Sequence, residues 1–375
     1  MKYILLILKL ILKLMRRGIE DSDLDFVENY TYDYHKHHGL VVKKRIYNKH
    51  GLTGLVNMGN KCFINSIVHC LSHTLKLTDY ILSNKYKEDI NNKHSRFINS
   101  YVTLIINIWD NNGLIKPRSF IECTSSYFQK YSDNSQQDSH EFLLNMLDLL
   151  HRSFCYEIDM EIRGEVLSES DKLTKQSLEK WYSFYKNEYS VINNIFGGIN
   201  VNNIHCNNCK HTDNIFEPFL DISLPITETS NNIYECIDNY FCKSEILENR
   251  TCEKCKNSSC NKNTTIWSLP NYLIIHLKRF SNSGKKISTN ISFPLDNLDL
   301  TKYIEPRKDD PSNYIYTLYA VNYHSGNSSG GHYWSACQNI DNTWYILNDE
   351  NVSKFNLELY SDNAYILFYY RKYIS

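Results

Sequence analysis

The chain has almost no net charge: 41 Lys and Arg stand against 42 Asp and Glu, for a formal charge of −1. Global charge therefore gives no reason to expect nucleic acid or a membrane surface as partner. No internal repeat is evident, so a repeat architecture is not expected. No stretch offers the ~20 uninterrupted apolar residues of a membrane span. The apolar N-terminal segment has no small-residue cleavage site, which argues against a secretory signal. The 12 cysteines do not read as a secreted disulfide framework in a chain of 375 residues. What is present is enough apolar residue, 42%, for a sizeable core. The length suits two or three average domains or one elaborated domain.

One cysteine stands apart. Residues 54–71 read Gly-Leu-Val-Asn-Met-Gly-Asn-Lys-Cys-Phe-Ile-Asn-Ser-Ile-Val-His-Cys-Leu. Gly54, Asn57, Gly59 and Asn60 suit a tight turn with unusual backbone angles. Phe63, Ile64, Ile67, Val68 and Leu71 then follow helical spacing. Cys62 thus opens a helix, where the positive end of the dipole favours thiolate, the nucleophilic form. Set against this is the ordinary fate of a free cysteine, burial in a core.

A thiol nucleophile needs a base, and His332 is the candidate among 14 histidines. It stands where a Gly/Ser loop runs into the strand-like Gly331-His-Tyr-Trp-Ser-Ala336. A second strand-like stretch, Trp344-Tyr-Ile-Leu347, ends in Asn348-Asp349. An amide or carboxylate there would fix the imidazole tautomer and aim it at Cys62. His324 opens the same loop and is the competing candidate. Lys61 precedes the nucleophile; it either favours the thiolate or points to solvent, and solvent is the expectation.

Two Cys-x-x-Cys pairs, Cys206/Cys209 and Cys252/Cys255, have the spacing of one tetrahedral Zn²⁺ site. Cys260, His205 and His211 rank behind them as substitute ligands. Four thiolates leave no open coordination position, so the metal would be structural. A thiolate nucleophile and thiolate ligands suit a reducing cytosol or nucleus.

Residues 1–17 are Ile/Leu-rich, with Lys2, Lys9, Lys13 and Arg16 within about a sixth of a turn on a helical wheel. A basic amphipathic helix over residues 1–20 is expected, lying on a membrane surface or docked on a partner; alternatively Met15 is the true start. Residues 21–51 read as a polar, His/Tyr-rich linker.

The Cys and His segments resemble those of the ubiquitin-specific proteases, the papain-like cysteine deubiquitinases. Residues 54–66 match the family's Gly-Leu-x-Asn-Leu-Gly-Asn-Thr-Cys-Tyr-Met-Asn-Ser. Gly331-His-Tyr-Trp-Ser-Ala336 and Trp344-Tyr-Ile-Leu-Asn-Asp-Glu-Asn-Val352 match its His box. Gln136-Gln-Asp-Ser-His-Glu-Phe-Leu143, Phe219-Leu-Asp-Ile-Ser-Leu-Pro-Ile226 and Leu269-Pro-Asn-Tyr-Leu-Ile-Ile-His-Leu-Lys-Arg-Phe280 resemble three more blocks, in the family's order. Lys61 stands where Thr or Ser is common, and Asn348 occupies the third triad position in place of Asp.

The resemblance implies an α+β fold: a helical thumb over about 52–195, β fingers with a zinc-ribbon-like site over about 196–265, and an antiparallel β palm over about 266–375. Helical patterns at 97–106 and 141–150, and alternation from Thr264 onward, agree with it. It implies a monomeric deubiquitinase with one structural zinc, no organic cofactor, and ubiquitin and ubiquitinated proteins as partners. Asn57 would donate to the oxyanion; Asp138 and Glu141 would hold the Leu-Arg-Gly-Gly tail of ubiquitin, and Tyr333 would cover it. For Asp138 a plain helix N-terminal role competes. The alternatives are a protease for another ubiquitin-like modifier and an inactive ubiquitin-binding scaffold.

Overall fold

The computed structural model describes residues 11–16, and residues 51–372 apart from 91, 111–112, 249, 282–283, 307–313, 328–329 and 357–359. The helical half contains α1 (Cys62–Ser72), α2 (Ser95–Asp110), α3 (Ser139–Phe154) and α4 (Glu169–Tyr185), with shorter helices between. Every residue of α1 is buried. A helix enclosed on all sides needs apolar or paired side chains around its whole circumference. Here Phe63, Ile64, Ile67, Val68 and Leu71 supply the first kind.

The expected N-terminal helix is not what residues 11–16 form. Ile11–Arg16 is a strand, β1, antiparallel to β2 (Ile158–Arg163), in a register running from Ile11↔Arg163 to Arg16↔Ile158. A helix this short has marginal stability until something packs on its apolar face. The edge of β2 instead offers a complete backbone ladder. The remainder of the proposed helix, residues 1–10 and 17–20, and the proposed linker to residue 50 lie outside the described residues. No helix among the described residues is long and apolar enough to cross a membrane.

From residue 198 onward strands dominate. Those of the two larger sheets are β3 (Gly198–Cys206), β4 (Thr212–Phe219), β5 (Ile222–Pro225), β6 (Glu245–Leu247), β7 (Cys260–Ser268), β8 (Tyr272–Lys278), β9 (Leu298–Asp299), β10 (Ile315–Asn327), β11 (Gly330–Gln338), β12 (Trp344–Asn348), β13 (Asn351–Lys354) and β14 (Ala364–Arg371). Four build an antiparallel sheet in the order β4-β3-β7-β6. Eight build the large sheet, β13-β12-β11-β10-β14-β8-β5, with β9 beside β10. All of its pairings are antiparallel except β5 with β8.

The large sheet is buried on both faces, and side-chain alternation divides it between two cores. Ile274, Ala320, Cys337, Ile366 and Phe368 pack against the helices around α1 and α3. Leu273, Ile275, Val321, Leu367 and Tyr369 pack on the opposite side, with the helix Ile233–Phe241. The first core binds α1 to β11, and so fixes where Cys62 lies relative to His332. Arg279 closes the second side. Its guanidinium is fully buried and donates to the carbonyls of Ala364, Ile287, Thr289 and Ser361 at 2.5–3.0 Å. Burial lowers its pKa to about 10, still a cation at neutral pH.

Candidate active site

The turn before α1 carries Gly59 at φ +90° and Asn60 at φ +52°. Gly59 suits that angle, and a Cβ there would push aside the exposed Asn134 side chain, whose oxygen would lie 2.8 Å away. Lys61 occupies the cap position and its side chain cannot accept a helix N–H. The cap is supplied from upstream: Asn57 Oδ1 accepts the Lys61 N–H at 2.8 Å. Cys62 is the first helical residue, with 4% of its surface exposed.

Lys61 does not point to solvent as expected. It is 3% exposed, and its ammonium donates to the carbonyls of Tyr131, at 3.1 Å, and Asp133. The long stem reaches a loop that a Thr or Ser could not.

His332 lies on β11 and enters from the sheet side. Its Nε2 sits 2.6 Å from Asn348 Oδ1. An amide oxygen only accepts, so Nε2 carries the proton and Nδ1 is left for the thiol. The Cys62 thiol is the leading influence on this imidazole. Against burial, that contact, the Asn348 hydrogen bond and the negative charges of Cys62 and Asp349 raise the His332 pKa to about 9. Gly331, just before it, has no room for a side chain: a Cβ would lie 2.2 Å from His324 Nε2 and 2.5 Å from the Ser325 carbonyl. Gln136 grips Gly331 by both backbone groups, donating to its carbonyl at 2.8 Å and accepting its N–H at 2.6 Å.

His324 is core. It is 2% exposed, edge-on to Phe280 and tilted against Tyr333, and held down to about 4 by burial and then by Lys286.

Asp349 does something the sequence did not assign. It sits at φ +49°, which Asp tolerates better than most residues, and is 8% exposed. Its Oδ2 accepts Asn57 Nδ2 at 2.9 Å and its Oδ1 accepts Asn65 Nδ2 at 2.8 Å. Its carbonyl accepts the Leu55 N–H at 2.8 Å. Glu350 Oε1 adds a bond from the Asn57 N–H at 2.9 Å. Thus Asn348 holds the imidazole while Asp349 holds the Asn57 amide, whose second Nδ2 hydrogen stays free of this contact. Asn65, Glu350 and Gln136 were missed as site residues. The one sequence signal was an amide inside an apolar helical run, at Asn65. A buried link from Ser139 through Asn322 to Ser66, with bonds of 2.8 and 2.9 Å, also ties α3, β10 and α1 together.

The residues expected at the substrate tail are spread more widely. Asp138 caps α3, accepting the N–H groups of His140 and Glu141 at 2.7 and 3.0 Å, and its other oxygen accepts Tyr365 Oη–H at 2.5 Å. The helix-terminal role is therefore in place in the free chain. Glu141 is paired with Lys130 on the surface. Tyr333 is buried, 4.5 Å from the His324 ring and 6.1 Å from that of Tyr365; it belongs to the wall and does not stand free to cover a ligand.

Away from these residues, Cys206, Cys209, Cys252 and Cys255 converge, with ligand atoms within 4.8 Å of one another. Cys206 and Cys255 sulfurs are 3.5 Å apart, and Cys209 and Cys252 sulfurs 3.6 Å. Both turns have the same build. Lys210 and Lys256 each adopt φ +60°, and each donates its N–H to the first cysteine's carbonyl, at 3.1 and 3.0 Å. Cys260 lies opposite Cys206 on β7, outside this foursome. A second ligand-type group, His140, Asp221 and His276, has its imidazoles stacked 3.7 Å apart at 15°. Nearly parallel rings aim their in-plane lone pairs side by side, which suits a metal poorly.

Comparison with known proteins gives a consistent result. The family profile described as Ubiquitin carboxyl-terminal hydrolase matches residues 53–369. Ubiquitin carboxyl-terminal hydrolase Usp2 of Drosophila melanogaster is 35% identical over 332 residues, covering 86% of this chain and 35% of the relative. Ubiquitin carboxyl-terminal hydrolase 2 of Homo sapiens is 33% identical, covering 85% and 55%. The Gallus gallus protein of that name is 34% identical, covering 85% and 93%. The chain thus spans a third to a half of the first two relatives. Among solved structures, a chain of the SAGA Ubp8/Sgf11/Sus1/Sgf73 DUB module bound to ubiquitin aldehyde superposes with a TM-score of 0.70 at 25% identity, covering 94% of this chain and 76% of that one. The module bound to monoubiquitin gives 0.71 at 24% identity, a likeness of fold.

Proposed function

The chain belongs to the ubiquitin carboxyl-terminal hydrolase family, and from that premise we propose that it is a thiol isopeptidase. It hydrolyses the bond between the C-terminal glycine of ubiquitin and a lysine of a substrate or of another ubiquitin. The observation that carries this reading is the imidazole of His332, held by Asn348 through Nε2 and directed at the Cys62 thiol.

Cys62 attacks the glycine carbonyl and His332 takes up the thiol proton. The tetrahedral oxyanion forms beside the Asn57 amide, which Asp349 holds in place. On collapse, His332 returns the proton to the departing lysine amine. Water, deprotonated by the same imidazole, then cleaves the thioester. Asp138 and Glu141 would meet the tail arginine once Tyr365 and Lys130 give way. The chemistry uses reduced thiols, which fits a cytosolic or nuclear setting.

The test is a ubiquitin probe with an electrophilic C-terminus, run beside equivalent probes of other ubiquitin-like modifiers. Labelling at Cys62 by the ubiquitin probe alone is expected. Labelling by a different modifier alone would move the substrate class. No labelling by any probe would leave a binding scaffold.

The imidazole environment also sets a pH dependence. A raised histidine pKa keeps the imidazolium, the acid that protonates the leaving amine, present until pH passes the raised value. Cleavage of an isopeptide-linked substrate should therefore fall with a midpoint near pH 9. Asn348→Ala removes an acceptor that favours the charged ring, so its falling limb should move to lower pH. Superimposable limbs in the two enzymes would remove Asn348 from the mechanism.

The four cysteine sulfurs fit Zn²⁺. A tetrahedron with Zn–S bonds of about 2.3 Å has sulfurs roughly 3.8 Å apart, close to the spacings across the two turns. Such an ion would cross-link the β3–β4 turn to the connection between β6 and β7 without entering the chemistry. Protein made under reducing, zinc-replete conditions should contain about one Zn²⁺ per chain. Chelation should weaken ubiquitin docking more than it slows alkylation of Cys62. Elemental analysis finding no zinc would overturn the assignment.

A further inference from the structure

Lys61 stands one residue before the nucleophile, and Gly331 one residue before the base. A single loop touches both. At one end the Lys61 ammonium donates to the carbonyls of Tyr131 and Asp133. At the other, the Gln136 side chain holds the Gly331 N–H and carbonyl, at 2.6 and 2.8 Å.

The loop between these contacts is braced. Tyr131 is wholly buried, its ring 5.6 Å from Phe63 and 5.3 Å from Phe142, and its Oη accepts Asn145 Nδ2 at 2.6 Å. The Asn134 carbonyl accepts Asn60 Nδ2 at 2.8 Å. Asp133 accepts the Ser135 N–H at 3.0 Å and its hydroxyl at 2.5 Å. Gly331 cannot yield sideways, because His324 and Ser325 fill the space where a side chain would be.

We propose that Lys61 is a positioning residue: with Gln136 and the braced loop 131–136 it forms a strut that sets the separation of Cys62 and His332. The proposal rests on the thiol chemistry assigned to those two residues. It explains why a long cation stands where the family resemblance leads one to expect a short hydroxyl. Only a long side chain spans from the turn to the Tyr131 and Asp133 carbonyls. Burying an ammonium is costly unless its donors find acceptors; here two carbonyls accept from it. Burial lowers the Lys61 pKa, and the charge of Asp133 opposes that shift.

A strut severed at either end is severed. That gives a signature that general loss of stability does not share. The variants are Lys61→Met, Gln136→Ala and the double mutant, in the full chain. Each single change should lower kcat on a fluorogenic ubiquitin substrate by about 10-fold, as a small misplacement of reacting groups does, with KM within about twofold. The double mutant should fall no further than the worse single, since coupled residues are non-additive. Alkylation of Cys62 by iodoacetamide, read from the Cys62 peptide by mass spectrometry, should slow in the same order. Multiplying losses in the double mutant, a raised KM with unchanged kcat, or unaltered alkylation would overturn the strut. Gln136 is exposed, so Gln136→Ala carries the kcat and alkylation tests alone should Lys61→Met melt early. Alkylation uses no ubiquitin: a wild-type chain whose Cys62 alkylates rapidly but which cleaves no ubiquitin substrate would sink the proposed function and leave the strut open to the same measurement.

Discussion

Cys62→Ala is expected to lower turnover of a ubiquitin substrate by at least about 10⁴-fold, the scale on which enzymes lose activity with their nucleophile. Ubiquitin binding should persist. The change removes one sulfur from the start of α1, where Ala is a good helix former, and it leaves the Asn57 cap on Lys61 intact. No other thiol is placed to replace it. Cys70, Cys123 and Cys337 are enclosed in the core shared by α1, α3 and the large sheet, and Cys236 in the core on the sheet's other side; Cys155 follows the C-terminal end of α3, Cys242 follows the helix Ile233–Phe241, and Cys206, Cys209, Cys252, Cys255 and Cys260 form the cysteine cluster. The measurement pairs a progress curve on a fluorogenic substrate with titration of ubiquitin onto the mutant. Residual turnover above about one part in a thousand, surviving repurification, would mean that Cys62 is not the nucleophile.

Much of this arrangement is local and could be read directly. A Gly/Asn turn followed by helical spacing places Cys62 at a helix start, and α1 does begin there. Alternating apolar residues from Thr264 onward give the strands, and the paired Cys-x-x-Cys turns converge. What could not be read depends on partners remote in sequence. The direction of Lys61 is decided by carbonyls 70 and 72 residues away. The role of Asn65 is decided by a carboxylate 284 residues away. Residues 11–16 carry apolar spacing that suits either period, and the free edge of Ile158–Arg163 selects the strand. The adjacent Asn348 and Asp349 looked like one pair acting on one histidine. The left-handed backbone at Asp349 turns its side chain away from its neighbour's target and toward Asn57.

That division of labour yields the second large effect. Asp349→Asn keeps a residue that tolerates positive φ while replacing one carboxylate oxygen with an NH₂. The new donor faces Asn57 Nδ2 or Asn65 Nδ2, both of which donate to Asp349 in the native chain. One of the two amides must turn away. If it is Asn57, the oxyanion loses its aligned donor, a change that costs about 10²–10³-fold in kcat where it has been measured. KM should move little, because the bond matters only once negative charge develops on the carbonyl oxygen. Asn348→Ala acts on the imidazole through a hydrogen bond, whereas Asp349 reaches that ring only through its charge; at a pH well below the falling limb, where the ring is protonated either way, the Asn348→Ala/Asp349→Asn double mutant should show about the product of the two losses. Asn57→Ala should instead mask the Asp349 change, since both remove the same donor. Three kcat ratios on one substrate decide the matter. Near-native turnover by Asp349→Asn would show that the Asn57 amide stays aligned without the carboxylate's charge. A double mutant no slower than Asp349→Asn would put Asn348 and Asp349 back on a single histidine. An Asn57→Ala background in which Asp349→Asn still costs its full factor would show that the carboxylate acts by some route other than the Asn57 amide.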